Sequence, residues 1–460
     1  MSAGLGMKLS LARTVGAVSR LRGGGTSVPG KVLLGLQRDA IGVLGSRLSR
    51  GSVLISATNG KTTTARMAAQ ICREAGIGLV HNDAGANMDG GIATALLDAS
   101  RQRGAIAGEL GLFEVDELWL DRVAAQLRPR AIVLGNLSRD QLDRYGELEA
   151  IAQRWSGDLH ARRLVLNADD PLVADIGREH PGRLYFGVED DSVALAGMSH
   201  AADARHCRRC GAAYRFDAVY LGHLGNYHCP ACGQARPAPS VTARAIELDG
   251  VRAARFTLAA PAGEARVALQ LPGLYNVYNA LAAAALATAM EIPLARIVAG
   301  LNAARAAFGR AERVTLARGD REEREMRILL VKNPAGANEV LRTLVLEPGE
   351  HDLLGVLNDE IADGRDVSWI WDADFEVLAP RVRRFTCSGT RAADLAVRLK
   401  YAGLAEERIA VEPALATALA AAVRDRPGGR EPLYALPTYT ALLQLRKLLV
   451  ARGEAESAWS

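Results

Sequence analysis

The sequence predicts an α/β protein: a doubly wound parallel sheet built around a phosphate-binding loop, interrupted by a four-cysteine insert and followed by a smaller α/β domain. Three observations carry this expectation. Short apolar runs alternate with helical patterns through most of the chain, as in parallel sheets buried between helix layers. A strand, a tight turn containing Asn-Gly-Lys-Thr and a helical pattern follow one another from Val53. Two Cys-x-x-Cys knuckles lie eighteen residues apart.

The turn comes first because it bears chemistry. Val53 to Ile55 is a short buried run, and Thr62-Thr-Thr-Ala-Arg-Met opens a helix. Backbone N–H groups from Thr58, Asn59, Gly60 and Thr63 then converge with a helix N-terminus, a ready site for phosphate. Lys61 supplies a point charge for the terminal phosphates and Thr62 a hydroxyl for Mg²⁺. The standard pattern has a glycine five residues before Gly60; Ile55 stands there, so this is a variant loop.

Composition sets the bounds. A chain of 460 residues with 49% hydrophobic and 23% charged residues needs more than one core. A net charge of +4 is small at this size and gives no reason to expect a nucleic acid partner. No apolar run reaches the roughly 18–20 residues of a membrane span, and the N-terminus lacks the apolar core of a signal peptide, so a cytoplasmic protein is expected. Leu9, Leu11, Val15, Val18 and Leu21 form an amphipathic pattern, expected to dock on the protein's own core, with a membrane surface as the alternative.

Beyond the loop, His81 to Gly91 is a run of small and polar residues that lets a ligand approach the backbone. Phe113-Glu-Val-Asp-Glu117 places three acids just past a strand end, suited to a hard cation beside phosphates, with Glu114 the best candidate; a solvated helix start is the plainer reading. Ala131 to Leu137 delivers Asn136 to Gly146 to the same strand-end face, and Arg163 to Pro171 repeats the theme. Cys207, Cys210, Cys229 and Cys232 match a closed tetrahedral zinc site, expected to be structural, within a ribbon spanning about 203–236. Val241 to Leu271 alternates like antiparallel strands, and Leu271 to Asn279 leads into an Ala-rich helix. Phe308 to Val314 taken alone suits a surface helix, and Arg318 to Arg327 an exposed hairpin or linker and a candidate hinge. From Met326 a second alternating pattern predicts a smaller Rossmann-like domain. The expected division is 1–50 as a helical segment packed on the central domain, 51–316 as the central domain that carries the phosphate-binding loop and 317–460 as the C-terminal domain.

Together these motifs resemble the Mur ligase superfamily. The resemblance rests on Thr58 to Thr63, Asn136 to Gly146, Asn167 to Pro171, Gly273 to Asn279 and Gly309 to Glu312, in that order. Within it the chain is most similar to the MurT family, through the four cysteines, Lys332-Asn-Pro-Ala-Gly336 and Asp363 to Asp372. Two departures from amino-acid-adding members stand out. Gln141 replaces a metal-binding histidine, and no lysine occurs between Lys61 and Lys332, which excludes a carbamylated lysine in the central domain. The resemblance implies an ATP- and Mg²⁺-dependent ligase that activates the D-glutamate α-carboxylate of lipid II as an acyl phosphate. Amidation would use ammonia from a GatD-type class I glutaminase in a heterodimer, at the inner membrane face. It further implies that Asn276, Asn279, Arg310, Lys332 and Asn333 help hold the nucleotide, and that Asp366, with Asp372 as the fallback, completes the partner's catalytic triad. A stand-alone ligase adding an amino acid is the competing expectation, and a zinc scaffold without chemistry a third.

Overall fold

The computed structural model describes residues 2–21, 27–82, 86–101, 105–139, 148–157, 159–198, 202–305, 310–318, 322–424 and 431–455. The chain opens with three helices, α1 (Ser2–Leu21), α2 (Val28–Leu36) and α3 (Ala40–Gly45). It then alternates β1 (Ser52–Ser56), α4 (Lys61–Glu74), β2 (Leu79–His81), α5 (Asp89–Ala99), β3 (Leu110–Glu114), α6 (Leu120–Leu127) and β4 (Ala131–Leu134). Next come α7 (Leu148–Trp155), β5 (Arg163–Asn167), α8 (Pro171–Ile176) and β6 (Arg183–Val188). A separate hairpin, β7 (Arg215–Leu221) and β8 (Leu224–His228), precedes β9 (Val241–Asp249), β10 (Ala253–Ala260) and β11 (Gly263–Leu269). These strands, without β7 and β8, form one sheet in the order β11-β10-β9-β6-β5-β4-β1-β3-β2.

The period of two along β1 shows how the sheet divides its neighbours. Val53 and Ile55 enter the core shared with α4, α9 (Leu274–Ala289) and α10 (Leu294–Ala303), while Leu54 enters the opposite core. That second core also takes Leu5 and Leu9 of α1, Leu33 of α2 and Ile41 of α3, so the N-terminal helices share the central domain's core. In α1, however, the inward residues are Leu5, Leu9 and Ala12, whereas Leu11 and Val18 face outward. The expected apolar stripe therefore holds only in part: Leu9 is buried, Val15 half-buried, and the Leu21 side chain lies outside the described residues.

The second sheet comprises β12 (Arg310–Arg318), β13 (Glu322–Leu329), β14 (His351–Val356), β15 (Val382–Ser388), β16 (Ile409–Val411) and β17 (Leu433–Pro437). Its order is β12-β13-β17-β14-β15-β16, parallel except for the β12–β13 hairpin. Helices α11 (Pro334–Val345), α12 (Ala392–Tyr401), α13 (Leu415–Arg424) and α14 (Tyr439–Ala451) accompany it. Its first strand begins at Arg310, so a boundary at 316/317 cuts that strand, and Arg310 to Val314 lies in the sheet and not in a surface helix. Arg318 and residues 322–327 are strand too and pair antiparallel, so the hairpin expectation holds, while the described part of the charge run is no linker or hinge loop. Alternate residues of β13 point inward: Met326 is fully buried, and Arg324 donates to Asp352 Oδ2 at 2.6 Å and to Ala422 O at 2.8 Å. A strand can carry a dense charge run when every second residue faces solvent.

The two sheets meet at defined points. The β9–β10 turn inserts Val251 into the C-terminal core, and Val251 N donates to the buried Glu347 Oε1 at 2.9 Å. Gly250 at the turn has φ +46°, and a Cβ there would lie 1.7 Å from Glu347 Oε1, so the contact admits only glycine.

Candidate functional site

The site lies at the carboxyl ends of β1, β3 and β4, where such sheets place their ligands. Gly60 turns the chain from β1 into α4 with φ +85°, and a Cβ on it would come within 1.9 Å of Asn279 Oδ1. Both constraints demand glycine. The loop is clamped from β4: Asn59 N donates to Asn136 Oδ1 and Asn136 Nδ2 returns a bond to Asn59 O, each at 2.9 Å. Thr58 N also donates to Asn136 O at 2.9 Å.

Two contacts link the loop to the acids past β3. Lys61 Nζ lies 2.7 Å from Glu117 Oε2, and Thr62 Oγ1 donates to Glu114 Oε1 at 3.1 Å. Glu114, Asp116 and Glu117 are all buried. Burial works against the charge of Lys61, but Glu117, then Glu114 and Asp116, outweigh it and hold its pKa above the ordinary lysine value. Burial raises Glu117 against the pull of Lys61. Three acids around one cation keep Lys61 protonated. Glu114 is fixed through its backbone, because Asn82 accepts from Glu114 N at 2.9 Å and donates to Glu114 O at 2.8 Å. The paired Thr62 and Glu114 oxygens suit Mg²⁺, a hard cation with oxygen ligands.

The C-terminal domain closes over this face. Lys332 Nζ donates to Thr58 O at 3.3 Å, and Asn333 Nδ2 to Asn59 Oδ1 at 3.0 Å. Asn333 also caps α11, accepting from Gly336 N at 2.8 Å. Asn276 and Asn279 on α9 are buried; Asn279 accepts from Thr64 Oγ1 and donates to Asn276, which in turn donates to Pro272 O. Their bonds brace the loop from behind. The Arg310 side chain, Gln141 with the rest of 140–147, and residues 83–85 of the small-residue run lie outside the described residues.

The four cysteines come together. Their sulfurs all lie within 4.8 Å of one another, with Cys207–Cys232 at 3.6 Å and Cys210–Cys229 at 3.4 Å. Tetrahedral zinc with bonds of about 2.3 Å needs sulfurs about 3.8 Å apart, so this set fits it. The N–H groups of Cys232 and Ala231 pull the Cys229 thiol down to about 6, favouring the thiolate a metal requires. The ribbon is tied to the central site. Its buried His223 faces Asp170 Oδ2 at 3.3 Å, and Asp170 accepts from Leu137 N, next to Asn136. Asp169 accepts from Arg236 Nε and from Tyr278 OH on α9, both at 2.6 Å.

Asp366 is exposed in the segment after β14, and accepts from Ser368 N at 2.8 Å. That bond, with the Ser368 side chain, holds its pKa below the ordinary carboxylate value. Asp372 instead faces the central domain, 3.4 Å from Arg139 Nη1. Sequence reasoning did not single out Glu117, Asn82 or Asn136 as individual site residues. The acid run after β3 was the available signal for Glu117; the asparagines act through long-range backbone bonds.

Residues 55–220 match the Mur ligase middle domain and residues 330–442 the MurT ligase C-terminal family. The lipid II isoglutaminyl synthase (glutamine-hydrolyzing) subunit MurT of Streptococcus pneumoniae is 33% identical over 95% of this chain and 94% of its own length. The Staphylococcus aureus protein of the same name is 32% identical over 92% and 93%. Among solved structures, a pseudomurein peptide ligase type C from Methanothermus fervidus has a TM-score of 0.66 and 22% identity, covering 89% of this chain and 80% of that one. MurF from Thermotoga maritima, in complex with ADP, has a TM-score of 0.62 and 14% identity, covering 93% and 84%. Near-complete coverage by two MurT subunits, with the C-terminal match to their own family, means that this chain belongs to the MurT family of Mur ligases.

Proposed function

We propose that the chain is the ligase subunit of a glutamine-dependent amidotransferase in peptidoglycan synthesis, converting the D-glutamate of lipid II to D-isoglutamine. The observation that carries this reading is the convergence of Lys61, the Thr62–Glu114 pair and the Lys332–Asn333 arm on one strand-end point. The relatives' names supply the substrate and the need for a second subunit.

A carboxylate is a poor electrophile, and ammonia does not displace its oxygen at a useful rate. Attack of the α-carboxylate on the γ-phosphate of ATP breaks the bond to the β–γ bridging oxygen, releasing ADP and leaving an acyl phosphate; ammonia then adds to its carbonyl carbon, and phosphate and a proton leave as the amide forms. Both reactants are anions, so the residues must neutralise charge and align them. Lys61 exchanges its contact with Glu117 for the β- and γ-phosphates, and the N–H groups from Thr58 to Thr63 cradle them. Bound between Thr62 and Glu114, Mg²⁺ would offset charge on the phosphate oxygens. Asn276 and Asn279 hold the nucleotide through the loop they brace, Arg310 at the start of β12 would add a cation to that grip, and Lys332 and Asn333 bring the C-terminal domain onto it. Asp366 faces outward toward a GatD-type glutaminase, where a carboxylate would orient the partner's histidine. This protein works on the cytoplasmic side, where ATP is available.

The test is direct. Purified chain with lipid II, ATP and ammonium should release phosphate in step with a product in which a carboxyl OH has become NH2. Activity on a free amino acid instead would overturn the reading. The ribbon gives a second expected result: the chain should carry about one zinc per molecule. Cys229→Ser with Cys232→Ser should lose it and unfold below the wild-type temperature, with weaker ATP binding through Asp169 and Asp170. Unchanged ATP affinity in a zinc-free, folded variant would sever that link.

A further inference from the structure

Helix α1 carries apolar residues on two opposite faces. At about 100° per residue, Leu5, Leu9, Ala12 and Gly16 share the face turned to the core. There Gly16 leaves room for Pro29 of α2. Met7, Leu11 and Val18 fall within an arc of about 40° on the other side. They are 73%, 50% and 45% exposed. A helix that packed only on its own core would need one stripe.

The charge of this end of the chain has one sign. The chain has no Asp or Glu before Asp39, while Lys8, Arg13, Arg20, Arg22, Lys31 and Arg38 precede it. The bonds that Lys8 and Arg13 make go to neutral groups, namely Gln37 Oε1, Leu97 O and Ser100, so among the described residues no carboxylate cancels them. The whole chain carries only +4, so its positive charge is concentrated here. The helix runs beside α2 with its C-terminal half at Pro29, and the start of α2 borders Gly90 at the start of α5. That end of α5 lies at the strand-end face that holds the site.

We propose that the outer face of α1 lies on the surface of an anionic lipid bilayer, with Met7, Leu11 and Val18 at the boundary between headgroups and acyl chains, drawn there by the net positive charge of this end of the chain. No described helix is long and apolar enough to cross a membrane, so α1 lies along the surface. The inference rests on the proposed function in one respect: a lipid-linked substrate would be presented at the face that α1 flanks.

The full chain is floated with vesicles of phosphatidylglycerol and phosphatidylcholine, and with phosphatidylcholine alone. Binding is expected on the anionic vesicles and should weaken with salt. Met7→Ser, Leu11→Ser and Val18→Ser together should lower partitioning roughly tenfold or more. The triple variant's melting temperature and its ammonium-driven turnover of detergent-solubilised substrate should match wild type. Absence of wild-type flotation, or equal flotation of the triple variant, overturns the proposal. So does loss in the variant of a dimer that wild type forms, which would assign the stripe to a second copy. Failure of wild type to amidate solubilised substrate would count against the proposed function, and leaves the flotation result to decide the role of α1.

Discussion

Lys61→Met is expected to abolish amidation with ammonium and with glutamine alike, by roughly a thousandfold or more, because the γ-phosphate loses the one lysine that the central domain can offer it. No other lysine occurs between Lys61 and Lys332, so no neighbouring amine in the central domain can take over. The substitution should also destabilise the fold. Glu117 is buried and its partner at 2.7 Å would be gone. Breaking a buried pair from one side typically costs about 3–5 kcal/mol unless the remaining group changes protonation. The sign with pH follows. Glu117 is already raised in the folded protein, chiefly by burial, and loses its opposing cation in the variant. A carboxyl whose folded pKa exceeds the unfolded value of about 4.3 binds more protons when folded, so stability falls as pH rises through that window. The variant should therefore lose most melting temperature, relative to wild type, at neutral pH and least in acid. Adding Glu117→Gln should restore stability at neutral pH without restoring activity. Recovery of amidation in the double variant would show that Lys61 acts only by neutralising Glu117.

Asp366→Asn should separate the two amine sources. In the reconstituted complex with its glutaminase, glutamine-driven amidation should fall by roughly a thousandfold or more, as expected when an orienting carboxylate loses its charge. Ammonium-driven amidation by the same preparation should be unchanged, since Asp366 is exposed and makes its bond to Ser368 within its own segment. Asp372→Asn is the control: it loses the contact with Arg139 and should affect both amine sources modestly and equally. Equal loss of both sources in Asp366→Asn would refute the role. Selective loss in Asp372→Asn, with Asp366→Asn active, would move it to Asp372.

What the sequence revealed was local in origin. The loop from Thr58 to Thr63 and the two knuckles are each defined by spacing along the chain, and spacing survives without coordinates. The alternation of strands and helices likewise predicts both sheets. Partners distant in sequence did not show: nothing about Asn82 says that it clamps Glu114, or about Glu117 that it meets Lys61 rather than solvent. The misplaced domain boundary has a related cause. Arg318 to Arg327 is polar enough to pass for a linker as well as for the hairpin it forms, and the burial of Met326 and the pairing of Arg324 with Asp352 reveal its inward face. For α1 the sequence showed amphipathicity but not its phase, because apolar residues occur on both sides.

Helix α11 has a consequence for how the cleft can open. Asn333 at its start grips Asn59 of the phosphate loop, and Glu347, just past its end, grips the β9–β10 turn. At 1.5 Å per residue these grips are about 20 Å apart. The helix is thus a strut pinned at both ends to the same neighbouring domain. A simple hinge about either end must break the bond at the other. Retaining both leaves only a roll of the C-terminal domain about the strut's long axis, which would displace Lys332, beside the pin at Asn333, far less than the parts of the domain distant from that axis.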